Sequence, residues 1–567
     1  MLDPADFPPL PSPAREKKKR RNPNKQPEVP FQGNGPTKVS LETLPVELLL
    51  QILDNFMPHS HLEAFERRAL LSLSSTNRRF HSLVSKRLYA LFSDGDIPAK
   101  NDNPYQFLRT ILNNSNLAAN VRALWVGYES FDGYEIDASI EERIAHHSPS
   151  ILDKQSIKNG LKELRIPGWK EWAMQCNDDR ALEYGRREIL YAAILLCTPN
   201  IEALKIIDGS STLTAPKWTD LIRWTVNGNR RGQMHSFTHL KSIFVRVGSL
   251  RLCDLAPVFK LPSLRELCLA GLAEPAPGKE GKADSLTRLL PPRSSLVESL
   301  DLLSSCIHID VLSVVLAAIR TLKKFSYENN DDSLYRHIDT SSYEFHSPWD
   351  GLRGKMANFD ILTEFLRAHH HSLEQLRLTD AVVRVLRSTR PERPPEPLGS
   401  LQEFEALVHL GVPMRALEHG ERILIAQDIP GNLQVLQLAA EAHHIGTADS
   451  PGTMAYAVKD IAYRADRLFP SLQAVHILYK GYRLQRGRLV HWKKIDTLFR
   501  DQGIRFDMTH LEPDITNLES DMTYLEPCGP DRRWNLLAEQ SEKDEENGRY
   551  TPIPYADESD DDLGHSE

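Results

Sequence analysis

Pro262-Ser263-Leu264-Arg265-Glu266-Leu267-Cys268-Leu269 carries the pattern that decides the fold. Its leucines are spaced Leu-x-x-Leu-x-Leu. Leu267 and Leu269, two apart, point to one face of a short strand, and Leu264 packs beside them. A strand so short and apolar is stable only against neighbours of its own kind, and the sequence supplies them. The spacing recurs at Leu161-Leu164-Ile166, Ile201-Leu204-Ile206, Leu240-Ile243-Val245, Val297-Leu300-Leu302 and Leu322-Phe325-Tyr327. It returns at Leu373-Leu376-Leu378, Leu407-Leu410-Val412, Leu433-Leu436-Leu438 and Leu472-Val475-Ile477.

Between several triplets lie stretches with helical periodicity, at 186–197, 309–321, 359–369 and 454–468, each with an apolar face to set against the strands. Strand and helix in alternation predict an α/β fold: an irregular solenoid with a parallel sheet, spanning 105–510. A last helix, 492–499, a turn at Gly503 and a strand through Phe506 read as a closing unit that seals its core. The pattern resembles a degenerate leucine-rich repeat domain. Start-to-start spacing runs from 24 residues (Leu240 to Leu264) to 51 (Leu322 to Leu373). The asparagine or cysteine that usually follows the triplet is replaced, among others, by Gly209, Gly248, Leu272, Ala381, Glu441 and Lys480, so irregular loops are expected in place of an asparagine ladder.

Residues 39–95 follow another rule. In Leu44-Pro45-Val46-Glu47-Leu48-Leu49-Leu50-Gln51-Ile52-Leu53, Pro45 forces Leu44 out of the helical region and occupies a first turn where its missing N–H costs nothing. Leu48, Leu49, Ile52, Leu53 and Phe56 then form a wide apolar stripe before Met57-Pro58. Ser60-His61-Leu62-Glu63 matches a capping box, which starts a second helix at His61 that runs through Phe65, Leu70 and Leu73. A third carries Phe80, Leu83, Val84, Leu88, Leu91 and Phe92, and the turn cluster Ser93-Asp94-Gly95-Asp96 ends the module. Three helices in so short a segment cannot bury all these faces, so a partner or the large domain must cover the excess.

The Leu44-Pro45-x-Glu47-Leu48-Leu49 start, Ile52-Leu53, Leu71-x-Leu73, Asn77-Arg78-Arg79-Phe80 and the closing Leu88-Tyr89 make this segment resemble an F-box, closest in style to the fungal type. It departs from the usual pattern in the charged Glu66-Arg67-Arg68 and in Phe80, where many F-boxes have tryptophan. The resemblance implies docking to a Skp-family adaptor and, through it, to a cullin scaffold. Leu44, Pro45, Leu48, Ile52, Leu53, Leu70, Leu73 and Phe80 would then supply the adaptor-facing surface, some of them instead building the module's own core. By the same resemblance the chain would be the substrate receptor of a cullin-type ubiquitin ligase, and the repeat domain would hold a protein target. A scaffold that binds the adaptor or another partner without supporting ubiquitin transfer is the alternative. Helices that merely cap the repeats are a third reading.

The target surface is expected on the concave sheet face and in the insert 329–351, with Tyr335, Tyr343, Phe345 and Trp349 as aromatic anchors.

The 567 residues, 41% hydrophobic and 26% charged, are ample for a core and too many for one ordinary domain. A net charge of -8 lacks the basic surplus that nucleic acid demands. The apolar runs 189–197 and 311–319 fall short of the roughly 20 residues that cross a bilayer, so no membrane is expected. Six cysteines without a CxxC pair argue for free, buried thiols. No GxSxG, HExxH, P-loop or GxGxxG in a strand-to-helix context is present, and His369-His370-His371 and His443-His444, adjacent on their elements, read as surface histidines that cannot share a metal. The expectation is a protein that is not an enzyme, with no cofactor and no metal. Residues 1–38 are Pro-rich with the basic block Lys17-Lys18-Lys19-Arg20-Arg21, and 520–567 end in Asp557-Glu558-Ser559-Asp560-Asp561-Asp562. Both read as disordered tails, the first a candidate nuclear signal, on a cytoplasmic or nuclear protein.

Overall fold

A computed structural model describes residues 41, 44–54, 64–94, 103–127, 149–165, 168–178, 183–207, 216–228, 236–247, 250–274, 282–329, 359–380, 398–419, 422–423, 429–441, 454–480 and 486–511. The helices α1 (Val46–Asp54), α2 (Ala64–Ser74) and α3 (Arg78–Leu88) come first and lead straight into strand β1 (Leu91–Asp94). Then follow α4 (Asn103–Asn113), α5 (Ser115–Ala118), β2 (Ala123–Gly127), α6 (Ile151–Glu163), α7 (Trp169–Asn177), α8 (Glu183–Cys197), β3 (Ala203–Ile207), α9 (Lys217–Val226) and β4 (Ser242–Arg246). Next are α10 (Leu252–Phe259), β5 (Glu266–Ala270), β6 (Ala273–Glu274), α11 (Lys282–Leu289), β7 (Ser299–Ile307), α12 (Ile309–Ala318), β8 (Lys324–Asn329), α13 (Phe359–Leu366), β9 (Gln375–Asp380) and β10 (His409–Pro413). A small hairpin of β11 (Glu418–His419) and β12 (Arg422–Ile423) precedes β13 (Val435–Glu441), α14 (Met454–Leu468), β14 (Ala474–Lys480), α15 (Arg486–Asp501) and β15 (Arg505–Leu511).

Twelve strands lie side by side in chain order, β1-β2-β3-β4-β5-β7-β8-β9-β10-β13-β14-β15, every pairing among them parallel, with β6 attached to β7. An α/β fold with a large parallel sheet is therefore what these residues build. The register explains the spacing of the triplets. Phe92, Leu124, Leu204, Ile243, Leu267, Leu300, Phe325, Leu376, Leu410, Leu436, Val475 and Phe506 stand opposite one another from edge to edge, and all are buried. They form the floor of one continuous core, covered on that side by neighbouring helices such as α8 on α9, α9 on α10 and α14 on α15.

The start of the sheet departs from the sequence reading. Leu161 is buried but lies in α6, with Leu164 as that helix's C-cap, so these two belong to a helix and not to a strand, while Ile166 lies outside the described residues. Two of the twelve in-line strands go unpredicted. β2 carries Leu124 and Val126, with Val121 buried just ahead of it, and β1 begins at Leu91, so Leu91 and Phe92 belong to the sheet and Ser93-Asp94 is strand rather than turn. The sheet accordingly begins inside 39–95, ahead of residue 105. Helices α8, α12, α13, α14 and α15 match the predicted stretches, and β15 the predicted closing strand.

No asparagine ladder was expected, and the described strands are joined by a different one. Serine or asparagine just before the first apolar residue of a triplet reaches back to the preceding repeat. Asn200 donates to the carbonyl of Ala119 (2.9 Å), Ser263 to those of Phe237 (2.6 Å) and Leu240 (2.9 Å), Ser372 to Leu322 (2.9 Å) and Asn432 to Glu405 (2.5 Å).

Candidate docking site on the N-terminal helices

Helices α1–α3 have a core of their own, Leu53, Leu70 and Val84 with Leu73, Leu83 and Leu88 packed around them, distinct from the core beneath the sheet. Its geometry follows from the sequence. Pro45 sits where its carbonyl accepts the first intrahelical bond, from the N–H of Leu49 (3.1 Å). Asn77 caps α3 by accepting from the Phe80 N–H (2.9 Å). Arg79 Nη2 then donates to the Leu44 carbonyl (2.7 Å), and Arg87 Nη2 lies 3.4 Å from the carbonyl of Leu50, so α3 holds α1 by its backbone as well as by packing.

This arrangement splits the apolar stripe of α1. Leu49 and Leu53 turn inward, whereas Leu48 (44% exposed) and Ile52 (37%) face out one turn apart, Leu41 (51%) is exposed near Ile52, and Val46 (39%) is exposed at a different angle on the first turn. An apolar cavity of about 210 Å³ opens next to them, lined by Leu41, Leu49, Ile52, Leu53, Ala69, Leu70, Leu73 and Phe80. The eight residues expected to face the adaptor thus fall into two groups. Leu53, Leu70 and Phe80 are buried in the module and line this cavity, with Leu73 half-buried beside them. Pro45, Leu48 and Ile52 are exposed, and Leu44 is half-buried. Leu41, which lines the cavity with Ile52, joins the outward strip and was missed, as was Val46, exposed on the first turn of α1 away from that strip. Leu48 and Ile52, one turn apart on α1, together with Leu41 at the cavity rim, are a costly exposure, since burying one such side chain stabilises by roughly 1.5–3 kcal/mol.

The other candidate surface is the face of the sheet turned away from the helices. On β2, β3 and β4, Trp125, Lys205 and Phe244 stand in register, half-buried, with Lys205 Nζ 5.2 Å from the Trp125 ring centroid and 5.6 Å from that of Phe244. These aromatics occupy the middle position between two core-facing residues, a place the triplet pattern leaves unread. Tyr335, Tyr343, Phe345 and Trp349 lie outside the described residues, as do Ser60 to Glu63, Phe56, Lys17 to Arg21, His443-His444 and Cys528.

Two smaller expectations are corrected. His369 is buried rather than on the surface, one ring nitrogen 3.1 Å from the Leu316 carbonyl, because the turn after α13 tucks it under α12. Cys253 is exposed, although Cys176 and Cys306 are buried and burial pushes the Cys197 thiol up to about 12. Among the described residues no helix is long and apolar enough to cross a membrane. No protein-family model matches the chain, and no curated protein matches it.

Proposed function

We propose that this chain is an F-box-type substrate receptor: α1–α3 dock a Skp-family adaptor, and through it a cullin scaffold, while the repeat body, read as a degenerate leucine-rich repeat domain, holds a protein target. The observation that carries the reading is the outward strip of Leu48 and Ile52, with Leu41, beside an apolar cavity, on helices whose core is separate from that of the sheet. A cap for the repeats would turn this strip toward the solenoid core instead of leaving it in solvent. Interfaces draw their energy from a few buried apolar anchors, each costing about 2 kcal/mol or more on truncation, and the strip supplies that chemistry. No side chain of this chain performs a reaction in this scheme; holding target and ubiquitin-transfer machinery close raises their effective concentration.

The test uses Leu48→Glu with Ile52→Glu, both on the outward side and outside the module's core. Wild-type protein co-purifies with the adaptor and the double variant loses it, while the thermal unfolding transition stays in place. A wild type that never binds the adaptor overturns the proposal. Turnover of bound proteins in cells carrying wild type or variant separates a ligase receptor from a scaffold.

A further inference from the structure

The sheet ends on β15, and there the sequence repeats itself. Asp507-Met508-Thr509-His510-Leu511-Glu512-Pro513 returns 14 residues later as Asp521-Met522-Thr523-Tyr524-Leu525-Glu526-Pro527, identical at six of seven positions. The first copy supplies most of β15, which pairs with β14 on one side and, among the described residues, with no strand on the other. The Arg505 N–H donates toward β14, to the Gln473 carbonyl (2.8 Å). Backbone groups alternate sides along a strand, so Phe506, Met508 and His510 turn theirs to the outer edge, a row of donors and acceptors that recruits another strand. The core is unfinished at the same place. Phe506 is buried against Trp492 (ring centroids 6.1 Å apart) and Phe499 (5.4 Å), whereas Met508, on the same face of β15, is only half-buried.

The second copy has the makings of that strand. Alternation puts Met522 and Tyr524 on one face and Asp521, Thr523 and Leu525 on the other; threonine and tyrosine favour strands, and Pro527 suits a strand's end. Nine residues, 512–520, join the copies. That is short of the about a dozen that a parallel crossover takes, and enough for the chain to turn back. Charge agrees. Parallel copies in register would set Asp521 against Asp507 and Glu526 against Glu512. An antiparallel return centred on Thr509 and Thr523 instead sets Leu525 against Asp507 and Asp521 against Leu511, and joins two threonines, a favourable cross-strand pair. An antiparallel edge strand on an otherwise parallel sheet breaks no rule of such folds.

We propose that residues 521–525 bind the outer edge of β15 as an antiparallel strand, with Thr523 opposite Thr509, and that Met522 and Tyr524 cover the end of the core beside Met508. The short link gives this segment an effective concentration that a second copy of the chain does not match in dilute solution. The acidic tail then starts after Pro527 rather than at residue 520. Neither adaptor docking nor target binding enters this inference, so it stands or falls apart from the function proposed above.

The test is cross-linking in the full chain carrying Cys253→Ser and Cys528→Ser, which remove the exposed cysteine and the one following Pro527. In the proposed register Thr509 and Thr523 are a non-hydrogen-bonded pair with Cα atoms about 4.5 Å apart, within disulfide range. Thr509→Cys with Thr523→Cys should therefore oxidise within the monomer at least tenfold faster than Leu511→Cys with Leu525→Cys. Both pairs span 14 residues, so a freely diffusing tail closes them alike, and a parallel strand sets both opposite. Equal rates overturn the proposal, and so does a cross-link found only between two copies. If thermal melts show that cysteine at 509 unfolds the protein, amide exchange decides. Thr523→Pro should speed exchange at Phe506, Met508 and His510 at least tenfold, and Ser541→Pro should leave it within twofold. Unchanged exchange in Thr523→Pro overturns the proposal.

Discussion

Asp94 shows how far a single residue can hide its role. It stands in the ladder opposite Val126 and Ile206, at a position otherwise apolar on these strands, and is buried. A carboxylate there is tolerable only with a donor, and Tyr191 of α8 supplies it: its hydroxyl donates to Asp94 Oδ2 (2.5 Å) and lies 3.2 Å from the Gly127 carbonyl. In the sequence, Ser93-Asp94-Gly95-Asp96 has the composition of a turn, and nothing local announces a partner 97 positions away. Tyr191→Phe keeps the ring and removes the donor, leaving a buried acceptor unpaired. The expected cost is about 1–3 kcal/mol, read from urea denaturation. An unchanged midpoint would show that water or another donor serves Asp94.

At the scale of the element, legibility tracked how much of a repeat is local. The triplets at Leu240, Leu264, Leu433 and Leu472 could be read because three apolar residues, the strand and the turn before it are contiguous. Leu161 misled because Leu-x-x-Leu is also helical spacing, and only the contacts of α6 with α4 and α7 decide. The candidate docking site was half legible. Periodicity found the stripe of α1 but could not divide it, since the inward choice of Leu49 and Leu53 depends on Leu70 and Val84 from the next two helices. The residue introducing a triplet was visible all along, as in Pro262-Ser263-Leu264, without its purpose. Ser263 bonds two carbonyls of the previous repeat, so Ser263→Ala should cost about 1–2 kcal/mol in urea denaturation. Ser400, whose hydroxyl among the described residues accepts only from the nearby Gln402 N–H at 3.4 Å, offers a comparison expected to cost less than half as much on the same substitution.

Across the whole molecule, one core runs under twelve strands, so a charge acquired beneath or upon the sheet weakens its own repeat and the neighbours stacked on it. Two histidines impose such a dependence. Burial holds His369 below the ordinary histidine range, against its bond to the Leu316 carbonyl and with some help from Arg293. Burial does the same for His409, reinforced by His476, Arg377 and Lys324. Each is therefore lowered relative to the unfolded chain, where histidine titrates near 6.5. The unfolded state binds these protons first as pH falls. Their contribution is present above about pH 6.5 and is lost as pH drops through their folded values. Unfolding free energy should thus decline between about pH 7.5 and 5.5, before Asp507 enters its own range: burial raises its carboxyl, but hydrogen bonds from His476 and Arg505 hold it below the usual value overall. His369→Gln retains a donor for Leu316 and removes the titration, so its stability curve over that window should be flatter than wild type. Equal slopes in the two proteins would assign the decline to His409 or to groups elsewhere.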